Sequence, residues 1–155
     1  MCTGIALAYS ALPLELIQRH GLRGRVHERG GEWEVQFLYR HAPRWLPVWH
    51  EGRLRVVRWG CRRGESRVLP CTGWTWQATV AAGGWAWCQA EPVDIPATLA
   101  LERGIWYHVR QGLRGLLVAD EHGVATAYII CEPASHYYEV MTRSRWMPVL
   151  IGERI

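Results

Sequence analysis

The chain has 155 residues, a net charge of +4 and five cysteines, and these figures exclude several classes of protein. The length fits a single domain, residues 1–155, whose core needs neither a metal nor disulfides. The cysteines are odd in number and lack CxxC spacing, which argues against a disulfide framework or a tetrahedral zinc site. No apolar run approaches the ~20 residues that span a bilayer. We therefore expect a cytoplasmic protein without membrane association, metal or other cofactor.

The first predicted element is a short helix over residues 11–20. Leu12, Leu16 and Ile17 share one face of this helix, and Gly21 is a typical stop. We expect a short amphipathic helix that packs on a sheet.

A glycine-rich, charged loop is predicted next, over residues 21–31, followed by a strand over 33–40. Residues 44–49 and 53–59 alternate as strands do, and the turn between them contains a glycine. This pattern predicts a β-hairpin.

The C-terminal part predicts loops and short strands, then a meander. Glycine, proline and tryptophan are frequent over residues 60–104, where little periodicity is visible. Strands are predicted over 105–110, 115–119, 124–131 and 147–151, and a helix over 133–143. The expected fold class is α+β, a strand-rich single domain whose mixed or antiparallel sheet curls toward a barrel, with a few short helices.

The basic and aromatic composition favours single-stranded nucleic acid as a partner. All 18 basic residues are arginine, and there are ten tryptophans and six tyrosines. Arginine pairs bidentately with phosphate, and aromatic rings stack on unpaired bases. The alternative explanation is a high genomic GC content, which enriches arginine at the expense of lysine.

Cys2 becomes the first residue when Met1 is removed, and its thiol then lies two carbons from a free α-amine. An unperturbed α-amine titrates near ~8 and a thiol near ~8.5, so both nucleophiles are available near neutral pH. This aminothiol can close a thiazolidine ring on an aldehyde. The alternative is that a cysteine at position 2 is there by chance.

Three short segments occur in an order that resembles the SOS-response-associated peptidase (SRAP) family, in particular a shortened, phage-associated branch. They are Met1-Cys2, the central Arg58-Trp59-Gly60 and the terminal Met147-Pro148. The resemblance implies one SRAP-like domain. It also implies that the protein removes its own initiator methionine, and that the exposed cysteine forms a thiazolidine with the ring-opened aldehyde of an abasic site in single-stranded DNA.

The motifs that supply assisting groups in this family are changed here. The Asn-Ala-Arg-x-Glu segment best matches residues 87–91, which keep Glu91. The Gly-Phe-Tyr-Glu-Trp segment matches residues 104–108, which places the glutamate at Tyr107, or at His108 if the register slips by one. His108 is the best substitute acid-base group, and the alternative is a half-exposed strand histidine. The His-x-Arg-Met-Pro segment places Ser144 at the histidine and Trp146 at the arginine.

The resemblance places a nucleic-acid groove over the central segment. Arg58, Trp59 and Gly60 are the expected contacts there, with Arg62 and Arg63 as a basic cluster for phosphates. The competing interpretation is that Trp59 is a core residue and Gly60 a turn residue.

Three hypotheses follow from the sequence. The first is an SRAP-like enzyme with Cys2, His108, Glu91 and Ser144 in its catalytic site. The second is a relative that binds single-stranded nucleic acid without turnover. The third is a phage accessory protein with a structural or protein-binding function.

Overall fold

The computed structural model describes residues 1–155 and contains twelve strands in two sheets. The strands are β1 (Gly4–Ala8), β2 (Val26–Arg29), β3 (Glu32–Leu38), β4 (Trp45–His50), β5 (Arg53–Trp59), β6 (Trp74–Trp76), β7 (Glu91–Pro96), β8 (Leu99–Glu102), β9 (Ile105–His108), β10 (Gly112–Ala119), β11 (Ala125–Pro133) and β12 (Trp146–Pro148). The helices are α1 (Leu14–Arg19), α2 (Gln77–Ala81) and α3 (His136–Thr142), and short 3-10 turns cover Tyr9–Ala11, Leu22–Arg25 and Ala86–Cys88. The fold class is α+β, as predicted.

The first sheet has the strand order β2-β3-β1-β8-β9, and all its pairings are antiparallel. The N-terminal strand β1 is therefore central. Gly4 is in register with Leu38 on one side and with Leu101 on the other. This double pairing fixes the start of the chain inside the molecule.

The second sheet closes on itself. Its order is β10-β7-β4-β5-β11-β12, and β10 also pairs with β11, so β10, β7, β4, β5 and β11 form a ring. Strand β6 lies outside this ring and runs parallel to β11. The predicted curling toward a barrel is confirmed.

The main core joins the two sheets. It contains side chains from both, among them Ile5 and Phe37 of the first sheet and Leu46 and Ile129 of the second. Cys2 belongs to the same cluster and is fully buried. The predicted cysteine nucleophile is thus part of the core rather than of a loose terminus.

The predicted hairpin is confirmed, because β4 and β5 pair antiparallel from Trp45↔Arg58 to His50↔Arg53. Its turn is Glu51-Gly52, and both residues have positive φ, 52° and 72°. A two-residue turn of this kind matches the right-handed twist of the strands.

Strand β2 lies where a loop was predicted. Its side chains are half-buried or exposed, so no alternation of apolar and polar residues marks it, and it exists because it pairs with the edge of β3. No helix in the structure has both the length and the apolar character needed to cross a membrane.

Candidate functional site

The centre of the candidate site is Cys2, whose side chain is 0% exposed. Its thiol donates a hydrogen bond to the carbonyl oxygen of Gly4, 3.2 Å away. Thr3 donates its N–H to Leu101 and accepts from the N–H of Tyr39, at 2.8 and 3.0 Å. These bonds clamp the residue after Cys2 between β3 and β8, so the position of the thiol is fixed by the sheet.

A buried carboxylate lies beside the N-terminus. Glu102, 1% exposed, accepts a hydrogen bond from the Met1 ammonium through Oε1 at 2.8 Å. Its Oε2 accepts from the Tyr138 hydroxyl at 3.2 Å, and the Tyr138 and Tyr107 hydroxyls lie 3.1 Å apart. An isolated buried carboxylate is costly, so the ammonium and the hydroxyl are what make its burial tolerable. Met1, Cys2, Glu102, Tyr107 and Tyr138 are called the Cys2 site below.

Two strands and one helix bring these residues together. Glu102 ends β8, and Tyr107 lies on β9, the next strand of the same sheet. Tyr138 comes from the first turn of α3, where Ser135 caps the helix by accepting from the N–H of Tyr138. The cap therefore fixes the tyrosine that contacts Glu102.

Aromatic side chains form a wall next to the site. The indole Nε1 of Trp74 donates to the carbonyl oxygen of Cys2 at 2.8 Å. The ring of Tyr39 lies 4.6 Å from that of Trp74 and 5.3 Å from that of Trp59. The chain contains no asparagine, so the neighbour of Cys2 on this side is an indole rather than the amide of the family motif.

Burial decides the protonation states within the Cys2 site. It raises the pKa of the Cys2 thiol to about 12, and the negative charge of Glu102 acts in the same direction. Burial also raises the pKa of both Tyr107 and Tyr138. All three groups are therefore protonated at neutral pH while Met1 is in place, and the two hydroxyls can donate hydrogen bonds toward Glu102.

We expect the stability of the protein to fall in alkali because the folded state holds the Cys2 thiol protonated. A thiol pKa raised from 9.0 to about 12 corresponds to roughly 4 kcal/mol of unfolding free energy. This contribution is fully present below the pKa of the unfolded chain and is lost as the pH rises through the folded value. Urea unfolding followed by tryptophan fluorescence, from neutral pH to about pH 11, measures the part that is lost by that pH, roughly 3 kcal/mol.

Cys2→Ala is the control for this measurement. The decline should become shallower but should persist, because the buried Tyr107 and Tyr138 phenols act in the same direction. An unchanged slope in Cys2→Ala would show that Cys2 is not the titrating group.

His108 does not point toward Cys2, so the expectation that it replaces the family glutamate there is wrong. Successive side chains of a strand face opposite sides, and on β9 it is Tyr107 that is buried while His108 is exposed. His108 instead lines an open groove of about 370 Å³ together with Arg29 and Trp33. The alternative interpretation, an exposed strand histidine, is the one that the structure supports.

Glu91 and Ser144 form no hydrogen bond or ion pair with the Cys2 site. Glu91 is 58% exposed at the start of β7, in the second sheet, and its Oε2 lies 2.5 Å from Nε2 of His50. Ser144 is buried, but its hydroxyl donates to the backbone oxygen of Trp146 at 3.0 Å and closes the turn before β12. The structure thus does not bring the four predicted catalytic residues together.

Three of the residues predicted to contact nucleic acid instead stabilise the fold. Arg58 donates to Asp120 at 3.0 Å, and Trp59 is 0% exposed with its indole bonded to the carbonyl oxygen of Gly73. Gly60 has φ +62°, and a Cβ there would lie 2.2 Å from the backbone oxygen of Thr72. A buried indole cannot stack on a base, so the core interpretation of Trp59 and the turn interpretation of Gly60 are correct.

Arg62 and Arg63 are exposed and take part in no ion pair. Burial raises the pKa of the Tyr39 phenol, and the positive charges of Arg44 and Arg62 oppose that change. Because its charge acts on Tyr39, Arg62 lies near the aromatic wall. These two arginines therefore stay available for phosphate.

Comparisons with protein-family models, curated proteins and solved structures found no significant match to this chain. Fold and site together define an α+β protein with a buried cysteine at position 2 and a buried carboxylate that contacts the Met1 ammonium. Any function must be argued from that geometry.

Proposed function

We propose that the protein captures abasic sites in single-stranded DNA covalently, through Cys2, after removing its own Met1, as part of a DNA-damage response. The observation that carries this proposal is the fixed position of the Met1-Cys2 segment over the buried carboxylate of Glu102, 2.8 Å from the Met1 nitrogen. The resemblance to the SRAP family points to the same chemistry.

Neither step of the reaction needs an oxidant or a cofactor. Water first hydrolyses the Met1–Cys2 peptide bond and methionine leaves, which frees the α-amine of Cys2. The Cys2 α-amine adds to the aldehyde carbon of the opened sugar, and the carbinolamine loses water to give an imine. The thiol then adds to the imine carbon, a C–S bond forms, and the thiol proton ends on nitrogen. One aldehyde and one aminothiol thus give one thiazolidine and one water.

Glu102 is the acid-base group of this proposal. Consecutive Cα atoms lie about 3.8 Å apart, so the nitrogen of Cys2 is only one residue away from the Met1 nitrogen, which Glu102 contacts. The carboxylate would take a proton from the new α-ammonium and return it to the departing hydroxyl. Tyr138 and Tyr107 would hold the carboxylate in place through their hydroxyls.

The absence of lysine supports the assignment of the nucleophile. All basic residues other than histidine are arginine, so the α-amine is the only primary amine in the chain. A guanidinium stays protonated and is a poor nucleophile. Any Schiff base with an aldehyde must therefore form at the N-terminus.

Exposed arginines around the site would bind the DNA backbone. Arg40 follows Tyr39, Arg103 follows Glu102, and Arg62 and Arg63 lie beyond β5; all four are exposed. Arg40 also lines an open groove of about 300 Å³ beside Thr3. This set takes the place of Arg58, which is held by Asp120.

We expect binding to single-stranded DNA to weaken steeply with salt. Each phosphate neutralised contributes a slope near ~0.7, so three contacts give roughly a 20-fold loss between 50 and 200 mM salt. Fluorescence anisotropy with a labelled oligonucleotide measures this. The double variant Arg62→Gln, Arg63→Gln should reduce the slope, whereas a flat salt dependence or a preference for duplex would contradict nucleic-acid binding.

The decisive test is the intact mass of the protein before and after mixing with abasic single-stranded DNA. The proposal expects a protein mass lower by one methionine residue, then an adduct equal to protein plus oligonucleotide minus one water. An oligonucleotide with a tetrahydrofuran residue, which has no aldehyde, is the control and should give no adduct. Failure to form the adduct in excess abasic DNA refutes covalent capture, and salt-dependent binding alone would then favour the non-catalytic binding module.

A further inference from the structure

We infer that Trp76 and Trp146 form a stacking platform for the base that neighbours the lesion in single-stranded DNA. This inference deepens the proposed function and rests on it for the identity of the ligand. The two residues are called the tryptophan platform below.

The rings of the platform are already arranged for stacking. Their centroids lie 4.3 Å apart with an interplanar angle of 30°. Trp76 is half-buried against the main core, and Trp146 is 38% exposed on top of it. A supported indole with an open face loses little conformational freedom when a base stacks on it.

The platform lies next to the Cys2 site. Trp74 and Trp76 are two residues apart on β6, so their side chains leave the same face of the strand, and Trp74 is the residue that holds the Cys2 carbonyl oxygen. Two residues of a strand span about 6.6 Å, which is close to the spacing of neighbouring nucleotides in an extended strand. Strand β11 joins the two tryptophans, because Cys131 pairs with Trp76 on one side and with Pro148 on the other.

The charge around the platform suits nucleic acid. Arg143 and Arg145 lie in the turn between α3 and β12, immediately before Trp146. Both are exposed, and neither takes part in an ion pair. An open aromatic face flanked by free guanidinium groups matches a nucleotide, with a flat base and a charged phosphate.

Trp146 also stands where the resemblance expects an arginine. At this position an indole that can stack on a base thus replaces a guanidinium that would bind through its charge. Stacking releases no counterions, so loss of Trp146 should lower affinity without changing the salt slope. This separates the platform from the arginine contacts.

The experiment measures binding of the full chain to an oligonucleotide that carries a single tetrahydrofuran residue, so that no crosslink forms. Trp146→Ala should weaken binding by roughly 5- to 100-fold, with an unchanged salt slope, and Trp146→Phe should keep most of the affinity. Trp87→Ala is the matched control. Trp87 is 57% exposed and stacks on Trp85, whose indole donates to Thr75 on the opposite face of β6, so its loss should have no effect.

A second measurement uses the unaltered protein, so that a folding defect in Trp146→Ala does not blur the result. Removing the base from each nucleotide near the lesion in turn should weaken binding strongly at one neighbouring position. In Trp146→Ala, if this variant folds, removing the base at that position should not weaken binding any further. Equal affinities across the whole series, or a loss in Trp146→Ala no larger than in Trp87→Ala, would overturn the platform.

Crosslinking to a true abasic site is followed in parallel, which keeps the two proposals apart. Normal crosslinking with no effect of Trp146→Ala on binding would refute the platform and leave covalent capture standing. Loss of binding in Trp146→Ala, with no crosslink even in the unaltered protein, would support the platform and refute covalent capture.

Discussion

Cys2→Ala is expected to abolish stable crosslinking to abasic single-stranded DNA, because the ring cannot close without the thiol. The terminal α-amine of this variant, whether or not Met1 has been removed, should still form an imine, which hydrolyses unless it is reduced. Intact mass after mixing, with and without borohydride, therefore distinguishes the two steps. The adduct should appear in Cys2→Ala only when borohydride is present.

Cys131→Ala is the matched control for this variant. Cys131 is also 0% exposed, burial raises its pKa, and ionisation of Cys2 would raise it further, so it is a second buried thiol close to the first. It has no adjacent amine and should be dispensable for crosslinking. A stable adduct in Cys2→Ala without borohydride would refute the thiazolidine mechanism, because the chain has no lysine that could supply another amine.

The elements with strong local signals could be predicted from the sequence. The β4–β5 hairpin follows from strand alternation and from Glu51-Gly52, where both residues need positive φ. Cys2 stands out because removal of Met1 would give its thiol an adjacent amine; the structure shows its burial, and its reactivity stays a prediction. In each case the information lies within a few residues.

The carboxylate of the site could not be predicted in this way. Glu102 is followed by Arg103-Gly104, so it looks like a charge at an exposed turn. Its burial depends on Met1 and on Tyr138, which is 36 residues away along the chain. The pairing of β1 with β8 brings Glu102 close to Met1, and α3 adds Tyr138. Pairing the N-terminal strand with residues 99–101 would have placed Glu102 beside the start of the chain and so identified it.

The errors over His108 and Trp59 have a common cause. A four-residue strand without alternating apolar and polar residues does not reveal which face is inward, and on β9 the buried residue is Tyr107 while Ile105 is exposed. The resemblance places Trp59 and Arg58 in a groove; the structure instead pairs the arginine with Asp120 and buries the indole. Long-range contacts decided both positions.

Glu102→Gln is expected to slow crosslinking by roughly 10²-fold or more, the usual scale of general acid-base catalysis. The amide keeps the shape of the side chain, and its oxygen can still accept from Tyr138, but it cannot take a proton from the Cys2 ammonium. Glu102→Ala is a poorer test, because removing one partner of a buried ion pair costs about 3–5 kcal/mol. Single-turnover rates with excess abasic oligonucleotide, together with urea unfolding of the same samples, separate catalysis from stability.

The matched control is His108→Ala, in the neighbouring strand of the same sheet but facing the solvent. Its crosslinking rate should equal that of the unaltered protein. Tyr138→Phe removes only the hydroxyl that holds Glu102, so it should slow the reaction less than Glu102→Gln does. If folded Glu102→Gln reacts at the normal rate, the aminothiol works unaided and the buried carboxylate serves only to anchor the terminal ammonium. If Glu102→Gln is slow while His108→Ala is normal, the acid-base function belongs to β8, to a residue that becomes adjacent to Cys2 only when the sheet forms.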